Sequence, residues 1–333
     1  MGVLNVALIG SEDLARKLGK KGDVRDIESY VHKESSGEVT RVLSFLRPLK
    51  YPESLRPLLS VLNVAKAGLL EIGSLDSTTG EAMVALGCAK IRDGMAIVSP
   101  GHGEWIDPGQ VRMMLDQAGL SEWEIVEGLD EHEIRSKLFE IREGISDDLD
   151  ELNSSPLILP VDQHFNVKGV GLVAIGYVQS GSVSKHDEIE VMPTGDMGVV
   201  RSLQVMDDDV EKAFSGDRVG VAIRNLREQS LQRGCMICIP DEGALVSHGA
   251  SSMVIEKTPF QLSELSVGEV IHVASDLQFA VGRVTEIEGD SITVEWENAI
   301  WIREDGGSEL LVVQLDSAPM RIIGSSRSIV RKA

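Results

Sequence analysis

The chain has 333 residues, 42% of them hydrophobic, and a formal charge of −21. This length exceeds what one hydrophobic core usually holds, so two or three domains are expected. No stretch approaches the ~18 uninterrupted apolar residues of a transmembrane helix, and the uniformly acidic composition disfavours DNA and RNA backbones unless a local basic site offsets it. Membranes and DNA are therefore not expected as partners.

Residues 1–148 alternate between apolar strand-like runs and amphipathic helical segments. Alternation of this kind predicts an α/β domain with a mainly parallel sheet. The predicted strands are Val3–Ile9, Val39–Leu46, Ala67–Ile72, Met95–Val98 and Glu124–Val126, and the predicted helices are Glu53–Leu62, Thr79–Cys88, Pro108–Ala118 and Glu131–Gly144.

A polar, proline-terminated stretch, Ser146–Pro156, predicts a linker, and the helical period disappears after it. Short strands separated by Gly, Asp and Ser then predict two small antiparallel barrels, at 156–242 and 245–333. The predicted strands are Leu157–Val161, Gly171–Gln179, Glu188–Met192, Val199–Val205, Arg218–Ile223 and Cys235–Ile239, then Met253–Lys257, Glu269–Ser275, Phe279–Glu286, Ser291–Glu297, Ala299–Arg303, Glu309–Leu315 and Pro319–Ile323. The fold class is α/β plus all-β.

Five stretches of the middle segment carry a family resemblance: Pro160–Val173, Ser180–Ile189, Val200–Gln204, Ser215–Arg224 and Gln232–Cys235. In this order they resemble domain II of elongation factor Tu and its relatives. These details favour the selenocysteine-specific (SelB-like) branch and the elongation-factor-like paralogues of methanogenic archaea, including the one proposed to serve pyrrolysine. The resemblance implies a P-loop-type G domain followed by two translation-factor β-barrels, and a cytoplasmic role in translation.

The first strand lacks the phosphate loop that such a G domain needs. A phosphate loop requires a glycine-rich turn, then a Lys and a Ser/Thr hydroxyl. Counted from Gly10, the second Gly of that turn, the Lys and the Ser/Thr would fall at positions 15, 16 and 17. These positions hold Ala, Arg and Lys. Ser11, Glu12 and Asp13 instead predict a helix cap with an acidic first turn. No nucleotide is therefore expected to bind at this degenerate loop.

The other nucleotide-binding motifs of the family are also missing. The family places a Mg²⁺-holding Asp and then a Gly after its third strand, where this chain has Arg47 within Phe45–Lys50. The guanine-reading Asn-Lys-x-Asp is replaced by Ser99–Gly103, and Gly19–Gly22 lacks a hydroxyl and is interpreted as a helix end. The sequence predicts no GTP or Mg²⁺ cofactor, no catalytic residue and no GTPase activity.

The cysteines and the remaining polar clusters predict no metal site. An odd number of cysteines, three, argues against a disulfide framework and for a reducing compartment, the cytoplasm. Cys235 and Cys238 lie three apart in a strand, so their thiols point to opposite faces. His102 and His132 are expected on surface loops or helices, and Asp207–Asp209 as a solvated turn.

The resemblance implies one candidate site, the pocket that receives the aminoacylated 3′ end of a tRNA. The matching positions are Asp162, Gln163, His164, Phe165 and Arg224. An aromatic face for the terminal adenine, together with an Arg and an imidazole, suits an aminoacyl ester. The alternative is that the Phe belongs to the barrel core and the Arg to a structural ion pair.

The leading hypothesis is an elongation-factor-like protein that no longer binds or hydrolyses GTP and presents a nucleotide-independent scaffold to a tRNA, the ribosome or another protein. One alternative is a working SelB-like GTPase that delivers a specialised aminoacyl-tRNA. The other is a dedicated aminoacyl-tRNA-binding module without GTPase activity.

Overall fold

The computed structural model describes residues 2–37, 39–101, 105–128, 130–261 and 264–332. It contains an α/β unit followed by two closed antiparallel barrels, which confirms the predicted fold class. We refer to these parts as the α/β unit, the first barrel and the second barrel. Among the described residues, no helix combines the length and apolarity needed to cross a bilayer.

The α/β unit is built on one seven-stranded sheet in the order β2-β3-β4-β1-β5-β6-β7. Its central strand β1 pairs in parallel with β4 and β5, whereas β2, β3 and β4 pair antiparallel. The strands are β1 (Gly2–Ile9), β2 (Lys20–Val24), β3 (Ile27–Ser36), β4 (Val39–Pro48), β5 (Ala67–Ile72), β6 (Gly94–Val98) and β7 (Glu124–Glu127).

Helices cover both faces of this sheet. They are α1 (Glu12–Leu18), α2 (Arg56–Leu62), α3 (Ser77–Cys88), α4 (Pro108–Gln117), α5 (Glu131–Gly144) and α6 (Ser146–Leu152). Helices α1 and α5 pack with one face of the sheet in one hydrophobic cluster, and α2, α3 and α4 pack with the other face in a second cluster. The site described below lies where β1 leads into α1.

The structure corrects the prediction in two places of the α/β unit. The hairpin β2–β3 was not predicted, because its charged residues obscure the alternation of a strand. The predicted linker begins instead as helix α6, in which Leu149 is 4% exposed. Asn153 follows this helix and accepts a hydrogen bond from the Ser215 amide at 2.9 Å, so the segment is fixed against the first barrel.

The first barrel closes through six strands, β11-β16-β8-β9-β15-β12, with β12 returning to β11. Its strands are β8 (Leu159–Val167), β9 (Gly171–Tyr177), β10 (Ser182–Ser184), β11 (Glu188–Met192), β12 (Asp196–Val205), β13 (Asp208–Val210), β14 (Lys212–Phe214), β15 (Arg218–Arg224) and β16 (Met236–Cys238). The short strands β10, β13 and β14 were not predicted; β10 and β14 pair with each other beside the barrel.

The second barrel closes in the order β17-β20-β19-β18-β21-β22. Its strands are β17 (Leu245–Lys257), β18 (Val270–Ser275), β19 (Gln278–Glu288), β20 (Ser291–Arg303), β21 (Leu310–Val313) and β22 (Ile322–Arg331). Two predicted strands, Ser291–Glu297 and Ala299–Arg303, are therefore one continuous strand, β20.

The three parts share hydrophobic and ionic contacts. One cluster of buried side chains joins the α/β unit with Tyr177 of the first barrel and Leu277 and Val313 of the second. Glu81 on α3 is 2% exposed, and it accepts from both the backbone amide (3.0 Å) and the guanidinium (2.9 Å) of Arg321, next to β22. The α/β unit and the second barrel are thus joined by a buried ion pair.

A buried carboxyl in the first barrel makes the stability of the fold depend on pH. Asp217 is 8% exposed, and burial raises its pKa to about 6. The pKa of Asp217 is higher in the folded state than in the unfolded state. Its contribution to the free energy of unfolding is therefore greatest at low pH and declines as pH rises from about 4 to about 6. Asp217→Asn should therefore change the free energy of unfolding by different amounts at the two ends of this range. Its effect at pH 7.5 should be more stabilising than its effect at pH 4 by about 1–3 kcal/mol.

Urea unfolding at the two pH values measures this difference. Asp187→Asn is the matched control. Asp187 accepts a hydrogen bond from the backbone amide of Ser184, three residues before it, at 2.7 Å, but it is less buried than Asp217. Equal pH dependence in both variants would contradict the assignment.

Candidate functional site

Strand β1 leads into α1 with only two residues between them. Ser11 caps the helix in an extended conformation, and its Oγ accepts from the Leu14 amide at 3.2 Å. Glu12 and Asp13 occupy the first turn. The predicted local geometry is confirmed: the chain turns directly into an acid-headed helix, whereas a phosphate loop needs a wide turn lined by amides.

A carboxylate on a neighbouring strand lies against this helix start. The Ser11 amide donates to Oε2 of Glu71 at 2.6 Å. Glu71 belongs to β5, which runs beside β1, and a Cβ added at Gly10 would lie 2.9 Å from Glu71 Oε2. The Glu71 carboxylate therefore accepts from the amide, and lies in the space, that a phosphate would use. The sequence does not reveal this contact, because 60 positions separate the two partners.

A network of ion pairs connects the β2–β3 hairpin with Gly10 and Glu12. Glu28 on β3 is 4% exposed and binds Lys21 Nζ at 2.7 Å and Arg47 at 2.6 Å. Arg47 also donates to the Gly10 carbonyl at 2.8 Å, and Lys21 also binds Glu12 at 2.8 Å. The network therefore ties the β2–β3 hairpin to the start of α1.

The pKa values of the network follow from these contacts. Hydrogen bonds from Lys21 and Arg16 lower the pKa of Glu12 to about 2. The hydrogen bonds that Lys21 donates to Glu12 and Glu28 in turn raise the pKa of Lys21. Burial opposes ionisation of Glu28, but its two cationic partners, Lys21 and Arg47, lower its pKa overall. The acidic and the basic side chains of the network thus stabilise each other in their ionised forms.

The residues at this site do not fit GTP with Mg²⁺. The Ser11 amide is already bonded to a carboxylate, and the position expected for the metal-holding Asp carries Arg47, whose charge repels a cation. At the place expected for guanine recognition, Ser99–Gly101 follow β6, while His102 and Gly103 lie outside the described residues.

The predicted 3′-end pocket is divided between two faces of the first barrel. Phe165 on β8 pairs with Val173 on β9, which pairs with Ala222 on β15, two residues before Arg224. Cross-strand partners share a face, so Phe165 and Arg224 lie on the same side. Because Phe165 is outside the hydrophobic clusters formed by the described residues, it is not barrel core. Arg224 is exposed and forms no ion pair with any described residue.

The other three predicted pocket residues have different surroundings. His164 pairs with Ala174, a core residue of the barrel, and so belongs to the opposite face from Phe165. Asp162 accepts from Gln163 at 3.2 Å and pairs with Arg233 at 3.3 Å. The structure thus brings two of the five predicted residues, Phe165 and Arg224, onto one accessible face.

Comparison with known proteins shows which proteins the chain is similar to. Residues 171–238 match the family described as Elongation factor Tu domain 2. An uncharacterized protein of Methanocaldococcus jannaschii is 29% identical over 96% of this chain and 98% of its own length. The selenocysteine-specific elongation factor of the same organism is 27% identical over 56% of this chain and 45% of its own length.

The fold is similar to that of a solved elongation factor. The crystal structure of elongation factor SelB from Methanococcus maripaludis, in complex with the GTP analogue GppNHp, matches with a TM-score of 0.77 at 19% identity. The match covers 100% of this chain and 80% of that one. The predicted resemblance to the elongation factor Tu/SelB-like family is confirmed. The similar proteins include those of methanogenic archaea, as predicted, whereas a connection with pyrrolysine stays a prediction.

The remaining candidates in this SelB-like protein have structural roles or no described contacts. Cys235 and Cys238 belong to two different hydrophobic clusters, and burial raises their pKa values to about 11 and about 12. His132 is exposed, as predicted. The three aspartates are exposed too, but only Asp207 is a turn residue, since the next two begin β13.

Proposed function

We propose that this elongation factor Tu/SelB-like protein is a translation scaffold that works without a bound nucleotide. The observation that carries the proposal is the 2.6 Å hydrogen bond from the Ser11 amide to Glu71. It places a fixed negative charge where the family would bind the nucleotide's phosphates. The M. jannaschii selenocysteine-specific factor is more than twice as long as the part of it that this chain covers, so its activity is not transferred.

Electrostatics supports the exclusion of phosphate. Glu12, Asp13 and Glu71 surround the start of α1, and a phosphate within ~4 Å of one carboxylate would cost roughly 4 kcal/mol at a surface-like dielectric. A phosphate loop supplies a lysine to offset such repulsion. Here Lys21 and Arg16 both bind Glu12 instead.

The contacts between domains support a scaffold with one arrangement. A GTPase switch needs a segment that γ-phosphate and Mg²⁺ order and that hydrolysis releases. In this chain the segment between α1 and β4 is the paired hairpin β2–β3, and it is tied to the first barrel by Asp23–Arg218 at 2.8 Å. Binding to a tRNA, the ribosome or a protein should therefore not depend on nucleotide.

A titration with fluorescent GDP in the presence of Mg²⁺ tests the proposal. The SelB protein of M. maripaludis, solved with GppNHp, is the positive control. We expect no saturable signal from this chain under conditions where the control saturates. Saturation at micromolar GDP would overturn the proposal and restore the alternative of a working GTPase.

A second candidate function is supported by the shared outer face of Phe165 and Arg224. A partly exposed aromatic ring and, on the same face, a guanidinium without an ion pair among the described residues suit the 3′ end of an aminoacyl-tRNA. This candidate is a tRNA-binding module without GTPase activity. It is compatible with the nucleotide-independent scaffold and identifies the partner of that scaffold as an aminoacyl-tRNA.

Phe165→Ala should weaken the retention of aminoacylated tRNA roughly tenfold, because stacking of one base on an aromatic side chain contributes ~1–3 kcal/mol. Filter binding measures the change. Phe214→Ala removes another partly exposed phenylalanine, 43% exposed, on β14 and should leave retention unchanged. An equal effect of the two substitutions, or none of either, would remove this candidate.

A further inference from the structure

A small polar cavity lies where the α/β unit, the first barrel and the second barrel meet. Its volume is about 90 Å³, which is the space of about three water molecules at ~30 Å³ each. Lys66, between α2 and β5, lines it from the α/β unit, and Gln179, after β9, lines it from the first barrel. The second barrel contributes Ser275, Asp276, Arg303 and Glu309. A small ligand in this cavity would therefore contact all three parts.

Lys66 has no counter-ion in this cavity. Its backbone amide donates to the Asn5 carbonyl at 2.9 Å, but its ammonium forms no hydrogen bond or ion pair with any described residue. Burial lowers the pKa of Lys66, and the neighbouring Arg303 lowers it further. Asp276 and Glu309 raise it, but not enough to reverse the direction. Because a buried charge is unfavourable unless it is paired, the Lys66 ammonium would be stabilised by a negatively charged ligand.

The other charged groups of the cavity already neutralise one another. The side chains of Asp276 and Arg303 are 4% and 12% exposed, and Arg303 Nε donates to Asp276 at 2.9 Å. Glu309 pairs with Arg327. Together with Lys66, these groups carry three positive charges and two negative charges, which leaves a net charge of +1 at the cavity in a chain that carries −21. One monovalent anion would therefore neutralise the cavity.

Further donors line the cavity without acceptors. Gln179 is 4% exposed and Ser275 is 1% exposed, and neither side chain hydrogen-bonds to a described residue. Arg303 uses Nε and Nη2 for Asp276, which leaves its Nη1 without an acceptor among the described residues. Buried donors are almost always paired. An amide, a hydroxyl and a guanidinium nitrogen that lack acceptors beside a free ammonium favour an anion over a cation or an apolar ligand.

We propose that this cavity binds one small monovalent anion, of the size of chloride or formate, and that the bound anion holds the α/β unit and the two barrels in one arrangement. Anion binding here is independent of nucleotide exclusion, since neither Ser11 nor Glu71 lines the cavity. The sequence does not reveal the site, because its donors come from three domains and approach one another only through the packing of the three parts.

Thermal unfolding of the full chain in sodium chloride and in sodium gluconate, at equal ionic strength, tests the proposal. Gluconate has the same charge as chloride but is too large for the cavity. An anion that binds only the packed arrangement raises the Tm, so the Tm difference between chloride and gluconate should be larger in the unmodified chain than in Lys66→Met by roughly 2–4 °C. Lys66→Met should be at least as stable as the unmodified chain in gluconate, because it removes an unpaired buried charge.

Lys168→Met is the control, since Lys168 is exposed in the turn between β8 and β9 and is not among the residues that line the cavity. This variant should keep the full difference between chloride and gluconate.

The linewidth of the chloride NMR signal measures binding in the folded protein directly. The unmodified chain and Lys168→Met should broaden the signal more than Lys66→Met does, and formate should narrow it by competing for the same site. The anion with the larger effect on the Tm is the one that the cavity prefers. Equal broadening by the unmodified chain and Lys66→Met, or an equal chloride-dependent change of their Tm values, would show that the cavity holds water only and would overturn the proposal.

Discussion

Replacing Arg321 with Met is expected to lower the free energy of unfolding by about 3–5 kcal/mol, because it leaves the Glu81 carboxylate buried without its partner. Glu81 is 2% exposed and takes two hydrogen bonds from the Arg321 side chain and one from its backbone. Tyr51 adds only a long contact to Glu81, at 3.4 Å. Urea denaturation, followed by circular dichroism, measures the loss.

A second ion pair between the same two parts provides the control. Lys90 and Glu256 also join the α/β unit to the second barrel, at 2.6 Å, but their side chains are 33% and 59% exposed. Exposed pairs contribute ~0–1 kcal/mol, so Lys90→Met should cost less than about 1 kcal/mol. Losses of similar size in both variants would show that the Glu81–Arg321 pair does not hold the parts together.

Replacing Glu28 with Gln is expected to cost about 2–4 kcal/mol of unfolding free energy, because Lys21 and Arg47 would lose their shared buried counter-ion. Both cations keep one other acceptor, Glu12 and the Gly10 carbonyl respectively, which places the cost below that of a fully unpaired charge. The prediction assigns a structural role to residues beside the start of α1.

Glu34→Gln is the matched control on the same strand. Glu34 pairs with His32 at 3.0 Å and Arg41 at 3.2 Å, but its side chain is 43% exposed. We expect a cost below about 1 kcal/mol from this change. If Glu28→Gln were equally mild, the network would contribute little to the stability of the hairpin.

The features predicted from the sequence are those that depend on nearby residues. Ser11, Glu12 and Asp13 predicted the capped helix start, since a cap and its first turn are local. The fold class followed from the change of hydrophobic period near residue 150, and the resemblance in domain II predicted the family. Cys235 and Cys238 were correctly predicted to be separated, although Cys235 lies just before β16 and not within it.

The features that escaped prediction depend on distant partners. Glu28 is charged yet buried, so β3 lacks a clear apolar face until Lys21 and Arg47 are seen beside it. Glu71 meets Ser11 only through the pairing of β5 with β1. His164 was grouped with Phe165 through the family resemblance, although successive residues of a strand point to opposite faces.

The backbone amide of Ser11 offers the most direct test of the proposal that this protein works without a bound nucleotide. Its NMR resonance, assigned in the full chain, reports on the one N–H that a nucleotide's phosphates would have to take from Glu71. Addition of GDP and Mg²⁺ should leave the shifts of Gly10 and Ser11 unchanged, whereas Glu71→Gln should move the Ser11 resonance. A saturable shift of the Ser11 amide with GDP in the unmodified chain would contradict the proposal that this scaffold works without a nucleotide.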